Sequence, residues 1–377
     1  PITVDPIAEA TGTTPNTVWI VLIFAYAFIA SRLPVWMLLQ PRDYVNQQQM
    51  VVALAVILLG VVVGMNTIVA PVVNDVPADS PPWFPLLFIT VACGAISGFH
   101  SLVASGTTAK QLDKETDARY VGYLASTGEG TLALCSILAC TAGVAATSTD
   151  WNALYTDFGT ASAGATGNFV DGVAGFANNL GVPMSVGAVF AALVVISFAA
   201  TTMDTGVRLQ RYIVQEIAEI VRFTPLARNL TAATAVATVV PLALSLIPGD
   251  FAFGQLWQLF GTTNQLTAGL ALAVIAVWVT KKSRNPVAVL IPLVFLLFMT
   301  AWALVINLID FAAGEDPIQR FLLAPLDLAV FVLAMWLIVE AGVALRRAWD
   351  LRRESAEPPA EEPSTDEPAA EGTDEQT

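Results

Sequence analysis

Nine stretches of this 377-residue chain are apolar for about the ~20 residues that a helix needs to cross the hydrocarbon core of a bilayer. They run approximately over Thr17–Leu39, Met50–Val73, Phe84–Ser105, Tyr120–Ala146, Val182–Met203, Leu230–Ile247, Gln255–Thr280, Val287–Leu308 and Leu326–Leu345. Lipid offers no partner to an open strand's backbone groups, so spans of this kind are predicted to be helices. Composition agrees: 55% of the residues are hydrophobic and only 13% charged, about half the charge of an ordinary soluble domain. The expected fold is therefore an all-α polytopic membrane protein. A net charge of −14 supplies no basic footprint for phosphate, which argues against a nucleic-acid partner.

Charge placement orients the spans. Fifteen of the seventeen lysines and arginines fall on alternate connections or at the C-terminal end, whereas the opposite connections carry mostly aspartate and glutamate with Arg320 as their base. Cytoplasmic loops hold the excess of Lys and Arg. Nine spans with the N-terminus outside and the C-terminus inside follow, with an extracytoplasmic segment over 1–16, a transmembrane domain over 17–347 and a tail over 348–377. Between Glu354 and Thr377 that tail holds nine acidic residues and no basic one, interleaved with Pro, Ser and Thr, and is expected to be disordered in the cytoplasm. A chain that begins outside at Pro1, with no signal peptide, is expected to be the later part of a larger protein.

Polar residues within the spans point to function, because each is costly in lipid. The third span reads Cys93-Gly94-Ala95-Ile96-Ser97-Gly98-Phe99-His100-Ser101. Gly94 and Gly98 have the spacing of close helix packing, as do Gly60 and Gly64 in the second span. On a continuous helix Ser97, His100 and Ser101 share one face, where the chain's single histidine either relays a proton or makes an interhelical hydrogen bond. Glu129, between Gly128 and Gly130, is a candidate for ion or substrate coupling, with an ion pair to Arg32 or a loop base as the alternative. Thr202 and Asp204 precede Arg208 and Arg211 at the end of the fifth span, where Asp204 either lines an inner gate or forms a solvated pair. Thr262, Thr263, Asn264 and Gln265 offer donors and acceptors to a dipolar substrate, or simply bond between helices. Arg32 either binds a substrate carboxylate or reaches to the interface. Cys93, Cys135 and Cys140 form neither a CxxC pair nor a Cys/His cluster, and are read as small helix residues.

Several of these segments, SRLPVWMLLQPRDY from Ser31, ACGAISGFHSLVASGTTA from Ala92, the nearby KQLDKETDARYVGY and TGEG, TTMDTGVRLQRYIVQE from Thr201 and LFGTTNQL from Leu259, together resemble the carbon starvation protein A (CstA) family. The resemblance covers roughly Val18 to Arg347. It implies a multi-pass transporter of the cell membrane induced on nutrient depletion, taking up peptides or small carboxylates such as pyruvate with a proton or sodium ion, and distantly similar to amino acid/polyamine/organocation carriers. Family members usually carry a preceding block of helices, so missing N-terminal helices or a companion subunit are expected as partners, besides the lipid bilayer. No Walker lysine motif or dinucleotide fingerprint is present, and no cofactor is implied. The rival readings are a membrane sensor that recruits a partner through its tail or basic loops, and an intramembrane hydrolase with Ser97 as nucleophile and His100 as base.

Overall fold

In a computed structural model the chain is helical, and no strand occurs among the described residues, which are 4–73, 80–146, 151–247 and 255–354. The acidic tail lies outside them from residue 355 onward. In chain order the helices are α1 (Asp5–Thr11), α2 (Pro15–Arg32), α3 (Leu39–Gly64), α4 (Phe88–Ala95), α5 (Gly98–Gly106), α6 (Asp117–Thr141) and α7 (Trp151–Leu154). They continue with α8 (Phe158–Asn179), α9 (Met184–Ile220), α10 (Thr224–Arg228), α11 (Leu230–Ser245), α12 (Leu256–Lys281), α13 (Val287–Ala313) and α14 (Ala324–Glu354). The last helix thus runs past residue 347, and the N-terminal segment holds the short helix α1.

Among the described residues, seven helices are long and apolar enough to cross a membrane, and two shorter apolar helices, Trp83–Ala92 and Leu230–Ser245, fall in two further apolar runs. The difference from nine uninterrupted spans has local causes. Leu230–Ser245 is a 16-residue helix with Pro241 inside it. In the third apolar run Ile96 and Ser97 are extended (φ −135°, ψ 91° and φ −105°, ψ 123°), so α4 stops and α5 starts afresh. Ser97 is therefore a cap rather than a helical residue, and the shared face expected of Ser97, His100 and Ser101 does not form.

The stretch between the fourth and fifth runs, which from sequence is a connection, holds more structure than its composition suggests. It contains α8, whose six consecutive residues Gly172–Ala177 are all buried. This helix packs against α3, α6 and α9. Phe176 sits on Gly60, where a Cβ would overlap its backbone carbonyl, and Asn179 Nδ2 donates to Gly60 O at 3.1 Å. The Gly60/Gly64 spacing thus serves close packing, here against a helix made mostly of small residues.

The helices form two groups. In one, α3, α6, α8 and α9 pack around Ile57, Cys135, Val173, Phe176 and Ala191, and α2 and α11 pack on α9 around Ala27, Val207 and Ala237. In the other, α12 contacts α4, α5, α13 and α14, with a layer of Leu259, Phe311, Leu323 and Ala324 closing one end. Contacts of α5 with α9 join the two.

Candidate functional site

Two polar centres stand out, one in each group. In the first, α2 ends at Arg32 because Leu33, preceding Pro34, is extended (φ −68°, ψ 149°); Leu33 N–H still donates to Ala30 O at 3.2 Å, but the carbonyls at this end lack the rest of their helical partners. Buried arginines of α9 satisfy them. Arg208 Nη2 donates to Ala30 O at 3.1 Å and to Leu33 O at 2.9 Å, and Arg211 Nη1 donates to Ser31 O at 2.9 Å. One turn before Arg208, Asp204 is 1% exposed and ion-paired with Arg42 of α3 at 2.7 Å, while Arg42 also donates to the Tyr26 hydroxyl. Asn46 Nδ2, a turn further along α3, donates to Thr201 Oγ1 at 2.6 Å. Asp204 accordingly belongs to a buried pair with Arg42, not to a solvated one with the neighbouring arginines. Thr202 points away from this centre: it is exposed and its hydroxyl returns to Phe198 O at 3.0 Å.

The second centre is the interruption between α4 and α5. Ser97 Oγ accepts from the His100 backbone N–H at 3.4 Å, the geometry of an N-cap. From α12, Asn264 Oδ1 accepts from the Phe99 N–H at 2.8 Å and from the Ser97 hydroxyl at 3.4 Å. Gly98 allows this approach, since a Cβ would overlap the Asn264 carbonyl and the Thr267 side chain. Gln265, fully buried, donates from Nε2 to Ile89 O of α4 at 3.5 Å, and buried Thr262 donates to Leu259 O at 2.9 Å. Ser101 Oγ donates to Gly98 O at 2.6 Å. Two adjacent residues of α12 therefore hold both halves of the interrupted helix.

Of the residues singled out from sequence, Ser97, Ser101, Thr262, Asn264 and Gln265 gather at or beside this interruption. His100 belongs to the same turn, but its side chain is exposed. What joins Ser97 to His100 is a bond to the backbone N–H, so the hydroxyl and imidazole do not form the nucleophile–base contact of the hydrolase reading. Glu129 lies apart, exposed on α6, with open space beside Gly128 and Gly130. Arg32 is exposed and stacks over the Phe28 ring of its own helix at 5.5 Å, not against Glu129.

Asn46, Asn307 and Asp327 are buried polar residues that the sequence reading passed over. The available signal was a lone Asp within the apolar run of the last span, and single Asn residues within or beside apolar runs.

Comparison with known proteins now bears on this geometry. Residues 2–303 match the family described as carbon starvation protein CstA. The chain belongs to that family. It is 31% identical over 372 residues to the peptide transporter CstA of Campylobacter jejuni, an alignment covering 83% of this chain and 52% of the relative. It is 28% identical over 383 residues to the pyruvate/proton symporter BtsT of Escherichia coli, covering 81% and 52%. With the peptide transporter CstA of Mycobacterium tuberculosis it shares 33% identity over 323 residues, covering 70% and 42%. The chain thus spans about half the length of the curated relatives it matches. No solved structure matches it. Family membership and the long apolar helices make it a multi-pass protein of the cell membrane.

Proposed function

We propose that this CstA-family chain takes part in secondary transport of short peptides or small carboxylates such as pyruvate, driven inward by a cation gradient. The observation that carries the reading is the α4–α5 interruption held by Asn264. Non-helical backbone at membrane depth is tolerated where it lines a cavity or is buried in protein, and discontinuous helices are a recurring way of building transporter sites. At the interruption the positive end of the α5 dipole meets the Asn264 amide of a neighbouring helix, an arrangement that favours a carboxylate once the amide is displaced. Peptides and pyruvate share that group. In this reading the substrate carboxylate takes over the Phe99 N–H from Asn264, which frees α12 to shift relative to α4 and α5. Ser97, Ser101 and Gln265 line the same place, and His100 follows in the first turn of α5 with its side chain exposed.

The test is counterflow of labelled pyruvate and labelled dialanine in proteoliposomes that contain the protein purified from its own membranes. Saturable exchange of either substrate is expected. Asn264→Asp keeps an acceptor for Phe99 N–H but places a negative charge where the carboxylate binds, and should raise KM at least tenfold. Exchange that is unaltered in this variant would remove the interruption from the substrate path.

A further inference from the structure

Two buried polar residues of α13 and α14, packed against α12, lie outside the substrate site. Asp327 of α14 and Asn307 of α13 are both 0% exposed. Neither carboxylate oxygen of Asp327, and neither polar atom of the Asn307 amide, has a hydrogen-bond partner. Both residues lie one turn deeper than the closing layer: Asp327 follows Leu323 by four positions, Asn307 precedes Phe311 by four, and Thr262 of α12 follows Leu259 by three. Two further unpartnered buried polar atoms, Thr300 Oγ1 of α13 and Gln265 Oε1 of α12, extend the polar surface toward the α4–α5 interruption.

Buried polar groups are nearly always bonded, and a buried carboxylate without a partner needs something that neutralises it. Among the described residues the helices packed on α14 supply no such charge. Lys281 is the one charged residue of α12 and stands at its far end. Asp310 of α13 is exposed, and so is Arg320 of the π-helical turn Gln319–Leu323; on α14 itself the next charge is the exposed Glu340. A metal ion would find too few oxygens. The two of Asp327, Asn307 Oδ1, the Thr262 hydroxyl and Gln265 Oε1 make five at most, short of the six that magnesium or calcium takes, and Thr300 lies seven residues, about 10 Å, along α13 from Asn307. A proton needs one.

We propose that Asp327, with Asn307 in the same buried layer, carries the coupling proton of the transport cycle. The inference rests on the transporter reading above. Protonation turns the carboxylate into a neutral acid whose O–H donates to Asn307 Oδ1, and release reverses the step. The link to substrate is α12, which presents Thr262 at this layer and, two and three residues on, Asn264 and Gln265 at the interruption.

Infrared difference spectroscopy of the reconstituted protein across a pH jump tests the proton directly, without any substrate. A titrating protonated-carboxyl band is expected, absent from Asp327→Asn; the same band in that variant overturns the assignment. Should Asp327→Asn fail to fold, Asn307→Val keeps the carboxyl and removes its partner. It should move the midpoint of the band by about one pH unit or more, and an unmoved midpoint overturns the role of the pair. In proteoliposomes Asp327→Asn should lose at least tenfold in pH-driven pyruvate or dialanine accumulation while some exchange persists with a flattened pH dependence. Accumulation driven by sodium at constant pH, and abolished by Asp327→Asn, would assign a metal ion to the layer and overturn the proton. Absence of exchange in the wild type would refute the transporter reading alone, because the infrared band reports on Asp327 independently.

Discussion

Arg42 Nη2 and Asp204 Oδ2 lie 2.7 Å apart and tie α3 to α9, with Asp204 1% and Arg42 15% exposed. Breaking a buried pair strands a charge, whereas replacing both partners with apolar residues is often close to neutral. Asp204→Asn should therefore destabilise the protein by roughly 3 kcal/mol, the lower end of the usual range because Arg42 keeps some contact with its surroundings. The double variant Arg42→Met/Asp204→Leu should recover most of that loss. Thermal unfolding in detergent, arranged as a double-mutant cycle, measures the coupling, and additive effects would show that the pair contributes nothing as a pair.

The arginine cap of α2 predicts a different signature. Arg208 bridges two carbonyls with one planar group, which a lysine ammonium reproduces poorly. Arg208→Lys should cost about 1–2 kcal/mol and speed amide exchange over the end of α2 and the segment after it. Unchanged exchange there would mean that the terminal carbonyls find other partners.

Gly94 and Gly98 share one spacing motif but not one environment. A Cβ on Gly94 meets nothing within 4 Å, while on Gly98 it would overlap the backbone of α12. Gly98→Ala should push α5 off α12 and abolish substrate exchange, and Gly94→Ala should retain it within about twofold, a change of less than ~0.5 kcal/mol. Equal effects of the two substitutions in the counterflow assay would contradict the packing described.

Asp157 caps α8 by accepting from the Thr160 N–H at 2.7 Å, and the Thr160 and Thr156 hydroxyls donate to the same carboxylate. These bonds, the backbone one foremost, hold its carboxyl below the usual carboxylate range. A depressed folded value means that the cap's contribution is complete above the unfolded pKa, near 3.9, and is lost as pH falls through the folded value. Asp157→Asn keeps the cap without the titration. Its stability should therefore depend less on pH than the wild type's below about pH 4, and identical acid profiles by circular dichroism would refute the assignment.

Apolar length made most of the architecture legible in the sequence: each of the nine runs contains helix. Helix α8 escaped because Gly, Ala, Ser and Asn dominate it, so its burial comes from close approach rather than from apolar side chains. The interruption after Ala95 was equally hidden, since glycines and serines suit a continuous membrane helix as well as a broken one. Ser97, Asn264 and Gln265 were recognisable as polar residues in apolar runs. That Asn264 bonds to Ser97 and Phe99 depends on helix pairing between positions 165 residues or more apart, which no local pattern encodes. For Glu129 the flanking glycines suggested an enclosed carboxylate, and the open side of α6 shows what spacing alone does not: which way a helix face turns.

Helix α9 extends without interruption over 37 residues, about 55 Å, against a hydrocarbon core of about 30 Å. Gly187, near one end, packs on Ala174 and Ala177 of α8, and Arg208 and Arg211 grip the end of α2 about 30 Å farther along. Such a rod has the geometry of a lever. A tilt of about 10° around its middle would displace Gly187 by roughly 4 Å and, in the opposite direction, Arg208 and Arg211 by about 2 Å. The contacts at Gly187 and at Arg208 and Arg211 thus tie α8 and the end of α2 to one continuous helix, on opposite sides of its middle.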